Sequence, residues 1–101
     1  MEDQVTGKSA STAHVTTDHG SRYLQQLCKH FGHKVEATFD PHAGEVKFPF
    51  GVCRLEADET GLTMTVQGSS GEEIKRLQDV VDSHLVRFAF REELNIDWQA
   101  V

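Results

Sequence analysis

Bases are scarce in this chain: ten lysines and arginines stand against sixteen acids among 101 residues, for a net charge of −6. Phosphate backbones and anionic lipid are bound by basic surfaces, so nucleic acid and membrane surfaces are poor partners for it. No apolar run approaches the roughly 20 residues of a membrane-spanning helix. The opening stretch MEDQVTGKSASTAHVTT has no apolar segment of the kind a secretory signal carries. There are only two cysteines, Cys28 and Cys53, which suits reduced thiols rather than a disulfide framework. These absences lead to the expectation of a soluble cytoplasmic protein with no nucleic-acid or membrane partner. A phosphate loop is missing too. Gly68-Ser69-Ser70-Gly71 precedes a helical stretch but lacks the following Lys-Ser/Thr pair, so no nucleotide or flavin motif is read. No pair of acids has a spacing that suits hydrolysis, and there is no internal repeat.

What is present is an ordinary globular composition, 38% hydrophobic and 26% charged, in a length that suits one domain with one core. Residues 1–11 are small and polar and read as a flexible tail, leaving 12–101 as a single domain. Ala13–Thr17 carries a thin strand signal. Thr17 or Asp18 offers an N-cap, and Leu24, Leu27, Cys28 and Phe31 recur at helical spacing, predicting a helix from Gly20 to Phe31. Gly32 stands where a left-handed residue would stop it. Val35, Ala37 and Phe39 then alternate with polar residues as in a half-buried strand. The run Asp40-Pro41-His42-Ala43-Gly44 has turn chemistry.

Val46, Phe48 and Phe50 alternate in one parity, and Cys53, Leu55 and Ala57 in the other. One uniform strand cannot keep both sets on one face. A β-bulge or sharp bend at Phe50-Gly51-Val52 is therefore expected, with Pro49 marking an edge or interruption. A turn at 58–61 leads to a strand through Leu62, Met64 and Val66. Ser70 and Glu73 then match a capping box. Behind it Ile74, Leu77, Val81, Leu85 and Phe88 share one face of a helix from Gly71 to Phe90. Alternation over Leu94–Trp98 suggests a last strand. The expected fold is α+β: a mainly antiparallel sheet of three to five strands with both helices on one face, because each strand has one apolar side.

The stretch that most resembles chemistry is Tyr23–Lys34, with one cysteine and two histidines inside six positions. Cys28 falls within the apolar stripe, where a free cysteine behaves as a small hydrophobe. It also lies near a helix C-terminus, where the dipole disfavours a thiolate. Cys28 and His30 diverge on a helix, whereas metal ligands must converge on a point about 2 Å from each. His30 and His33 converge only if the helix unwinds at Gly32, and His84, from the apolar stripe of the second helix, is the candidate third ligand. The alternative for His84 is a structural histidine hydrogen-bonded to a carbonyl or carboxylate. His14, His19 and His42 are expected in solvent. Arg87 and Arg91 sit near the second helix's C-terminus, where cations suit the dipole. Phe90 either packs under the tail or presents an exposed aromatic contact.

Three blocks carry a resemblance: RYLQQLCKHFGHK (22–34), FGVCRLEA (50–57) and LQDVVDSHLVRFAFREELNIDWQ (77–99). Together they resemble a bacterial family catalogued as domain of unknown function 2218, over residues 13–99. The resemblance implies a small bacterial α+β domain with no established activity. It also implies an iron-acquisition context, since similar domains occur beside or fused to siderophore-interacting flavoproteins. The positions matching the family blocks are Arg22, His30, His33, His84, Arg87, Arg91 and Glu92, taken here as the candidate ligand-binding set, with His30, His33 and His84 as candidate metal ligands. Three readings stay open. The first is a binding or accessory module linked to iron-siderophore handling through a flavoprotein partner or a small ligand. The second is a metal-binding or Cys/His-dependent enzyme using Cys28, His30, His33 and His84. The third is a structural domain that forms homo-oligomers.

Overall fold

The computed structural model describes residues 9–101. Its strands are β1 (Ser9–Thr16), β2 (Glu36–Phe39), β3 (Ala43–Phe48), β4 (Gly51–Asp58), β5 (Gly61–Gly68) and β6 (Gln99–Ala100); its helices are α1 (Gly20–Phe31) and α2 (Gly71–Phe88). The strands form one antiparallel sheet in the order β2-β3-β4-β5-β1-β6. Both helices pack on its apolar face, as expected, and the sheet has six strands.

The strand count exceeds five because residues 46–57, read as one bent strand, form two, β3 and β4; the strands at the chain's two ends belong to the expected five. β1 begins at Ser9, inside the stretch read as tail, and pairs along its whole length with β5, from Ser9 against Gly68 to Thr16 against Gly61. Residues 1–8, the rest of that tail, lie outside the described residues. The strand signal is thin because Ser11 and Ala13 are small, yet both are buried, with Val15 and Thr17 continuing the inward face. Gln78 of α2 donates to the Ser11 hydroxyl at 3.0 Å, and that hydroxyl donates to the Gln99 carbonyl at 3.1 Å. Leu94–Trp98 is not a strand: its alternating Leu94, Ile96 and Trp98 pack against the core without ladder bonds, and pairing begins only at Gln99.

The parity change between β3 and β4 has a simpler cause than a bulge. A two-residue turn at Pro49-Phe50 makes a hairpin, and such a hairpin pairs even positions with odd ones. Val46 therefore faces Cys53, and Phe48 faces Gly51, with no extra residue in the ladder. The second hairpin, β4–β5, turns at Glu59-Thr60; the Asp58 carboxylate accepts from the Thr60 amide at 2.8 Å and the Gly61 amide at 3.2 Å.

The core is one layer between sheet and helices. Cys53, Leu55, Ala57, Leu62, Met64, Val66, Ala13 and Val15 rise from the sheet to meet Leu24, Leu27 and Cys28 of α1 and Leu77, Val81 and Leu85 of α2. Each large side chain buried here contributes about 1.5–3 kcal/mol.

Helix termini depart from expectation in four ways. The α1 N-cap is His19, and Thr17 instead accepts the His19 amide on its hydroxyl at 3.1 Å. Gly32 is right-handed, with φ −62°, and its amide still bonds the Cys28 carbonyl. The chain leaves the helix through successive tight turns, His33 to His30 and Lys34 to Phe31. Ser70 caps α2 by accepting the Glu73 amide at 3.2 Å, but the Glu73 carboxylate reaches the Ser69 amide and hydroxyl rather than the cap residue's own amide. α2 stops at Phe88 rather than Phe90.

One backbone junction sets where α1 begins. Gly61 holds φ +149°, and a Cβ there would lie 2.0 Å from the Val15 carbonyl oxygen; a Cβ on Gly20 would lie 2.4 Å from the Gly61 oxygen. The backbones of β1, the β4–β5 turn and α1 thus touch without side chains between them. Gly61→Ala is expected to destabilise the fold by about 3 kcal/mol or to prevent folding, since this backbone region is nearly closed to other residues. Urea denaturation followed by circular dichroism measures the loss.

Candidate functional site

Six of the seven candidate residues fall into two groups along the seam where the helices meet; the seventh, Arg87, is exposed and lines neither cavity. At one end His30, His33 and His84 line a cavity of about 350 Å³ together with Phe31, Phe48 and Phe50. At the other, Arg22, Arg91 and Glu92 line a cavity of about 470 Å³ with Tyr23, Phe88 and Phe90. Phe88 separates them: it lines the second cavity and stands edge-on to His30, ring centroids 5.7 Å apart.

In the first cavity, α1 supplies His30 and Phe31 from its last turn, and α2 supplies His84. The His30 and His84 rings lie 4.7 Å apart at a tilt of 43°. Phe31 meets His84 and Phe48 edge-on, and Phe48 stacks on Phe50, whose outer face carries the Arg76 guanidinium at 4.2 Å. His84 Nδ1 lies 2.7 Å from the Val80 carbonyl oxygen. A carbonyl can only accept, so Nδ1 carries a hydrogen, which in the neutral ring leaves the lone pair on Nε2. The structural bond considered for this histidine therefore exists, and it fixes the tautomer. Loss of hydration beside these rings, and then electrostatic repulsion by His84, His33, Arg87 and Lys34, hold the His30 pKa below its ordinary value.

His33 is exposed and shares this cavity. Among the described residues no three His, Cys, Asp or Glu side chains are arranged to hold a metal ion, so the proposed triad reduces to the His30–His84 pair. Cys28 is fully buried over Gly44, where even a methyl group would come within 2.7 Å of its sulfur. Burial pushes its thiol up to about 11. Cys53, buried too, is pushed up to about 12 by the same cause, with Cys28 nearby adding to it.

The second group centres on Glu92, which follows α2. The Tyr23 hydroxyl donates to Glu92 Oε2, and the Thr17 hydroxyl reaches both carboxylate oxygens at 3.1 Å. Burial first, then the bond and charge of Glu92, push the Tyr23 phenol up to about 12. This clasp ties the β1–α1 loop, α1 and the segment after α2 together. Tyr23 and Thr17 do not stand out as site residues in the sequence. The available signal is a phenol on the apolar stripe of α1, since a buried hydroxyl needs a partner. Phe90 is 77% exposed, so it does not pack under the tail; Arg91 lies over it at 5.3 Å. The tail is held instead by Trp98, whose indole donates to both oxygens of Asp82 at 2.9 and 3.1 Å.

A profile of the family described as "Uncharacterized protein conserved in bacteria (DUF2218)" matches residues 12–99. The chain belongs to this family. This DUF2218 domain is also similar to a solved structure, the NMR structure of PA4090 from Pseudomonas aeruginosa. The two are 37% identical, over 90% of this chain and 95% of that one, with a TM-score of 0.77. No curated protein matches the chain. Among the described residues no helix is long and apolar enough to cross a membrane.

The buried acids of this DUF2218 domain set its alkaline limit. Tyr23, Cys28 and Cys53 all have folded pKa values above their ordinary 10 and 9. The fold keeps protons that the unfolded chain releases, so their stabilisation is intact below pH 9 and is lost as pH rises through the range 9 to 12. Tyr23→Phe is expected to cost about 1–2 kcal/mol at neutral pH and to flatten the part of the decline above pH 10. Thermal melts across that range provide the measurement.

Proposed function

We propose that this domain is a binding module, and that its imidazole-and-phenyl cavity takes a small, flat, anionic aromatic ligand. One observation carries the reading. The chain has an excess of acids, yet among the described residues no acid lines this cavity, while His30, His33, Lys34 and His84 do. Flat rings from Phe31, Phe48 and Phe50 offer stacking faces, and the cavity has the size of a small-molecule site. Cys28, buried with a raised pKa, supports a binding role over nucleophilic catalysis.

An aryl-chelating siderophore belongs to this chemical class, which accords with the iron-acquisition context implied by the family resemblance. A siderophore-interacting flavoprotein is the partner proposed from that context. Salicylate, as the simplest probe, should produce saturable amide shifts at His30, Lys34, Phe48 and His84 in a heteronuclear NMR titration. Lys34→Glu, at an exposed position, should weaken binding by about tenfold without disturbing the remaining spectrum. Saturable shifts that ignore Lys34→Glu, or none at all, would reject this reading.

The fixed His84 tautomer favours a second reading, in which the His30–His84 pair contacts a metal ion. Two imidazoles bound cis to one ion with bonds of about 2.1 Å hold their ring centroids roughly 4.5–5 Å apart, which the observed pair satisfies. Nickel should then broaden the His30 and His84 ring signals before those of the other histidines, and His84→Ala should remove the effect at His30.

A further inference from the structure

We propose that the cavity between the start of α1 and the segment after α2 is a second binding site, for an amino-acid zwitterion with an aromatic or large apolar side chain. The proposal is independent of the anionic-ligand cavity. It begins from Glu92, half-buried on the cavity wall, whose carboxylate is met by two neutral hydroxyls, those of Tyr23 and Thr17. Among the described residues no ion pair reaches it, although Arg22 and Arg91 line the same cavity. A carboxylate has about four acceptor positions, so room remains for a further donor, and an ammonium there forms charge-assisted bonds.

The two arginines are exposed, and a guanidinium binds a carboxylate through paired N–H groups. Cations and anions therefore both line one cavity without neutralising each other at contact distance. A ligand with only a positive charge meets Arg22 and Arg91, and one with only a negative charge meets Glu92 and Asp18. A ligand carrying both satisfies each. The third feature is Phe90, whose ring is 77% exposed. With Phe88 it gives the cavity an aromatic wall for an apolar side chain. The volume, about 470 Å³, suits a ligand of that size.

L-phenylalanine, phenethylamine and hydrocinnamate share a side chain and differ only in charge, and titrating each into the labelled domain by heteronuclear NMR tests the assignment. L-phenylalanine should give saturable shifts at Tyr23, Gln26, Phe90 and Glu92, and bind at least about tenfold more tightly than either singly charged analogue. The exposed-site double variant Arg22→Ala/Arg91→Ala should keep the folded spectrum and lose the preference for the zwitterion. The proposal is overturned if L-phenylalanine causes no saturable shift at millimolar concentration. It is equally overturned if an analogue matches L-phenylalanine or if the shifts fall only at His30 and His84.

Discussion

The fold depends on a sheet that buries only one of its faces. Along β1, β4 and β5 every second side chain is buried, and the residues between them, such as Thr12, His14, Arg54 and Glu56, are half-buried or exposed. With one apolar face available, two helices have to lie on it side by side. Their contact line then becomes the place where side chains are neither in the core nor in free solvent. Such half-wet positions let His84 and Glu92 be held in place without the full cost of burial. Both cavities open along that line for this reason. The opposite face has a network of its own, with His14 Nδ1 2.8 Å from the Thr63 hydroxyl and Arg54 paired to Glu45.

The legible parts of this fold are those decided by short-range chemistry. The α1 stripe and the Ser70 cap of α2 are local signals, and the helices start where those signals place them. The clash of parity at Gly51 is also legible, but as a constraint with two solutions. The pattern says that the inward face changes, and only the ladder shows that a hairpin turn makes the change. What stays hidden is what distant partners decide. Ser11 and Ala13 make a poor strand on their own; they are buried because β5, β6 and Gln78 surround them. Gly32 is chemically free to turn left-handed, yet the chain keeps a right-handed exit.

The candidate site divides in the same way. Helical phase brings His84 to the inner flank of α2 and His30 to the edge of α1, and their contact follows once the helices share a face. The phase of Cys28 within the stripe correctly forecasts a buried thiol. Nothing local links Tyr23 to Glu92, because the two are 69 positions apart and meet only after the chain beyond α2 folds back.

The chain has a single tryptophan, and its indole is pinned to Asp82 on the second helix by a segment that contributes almost nothing to the sheet. Its light emission therefore registers whether the C-terminal arm is seated, while the amide absorbance of the strands registers whether the β-layer is intact. A loosening of the arm alone would appear in one optical channel and leave the other silent, so the molecule carries its own means of separating partial from complete unfolding.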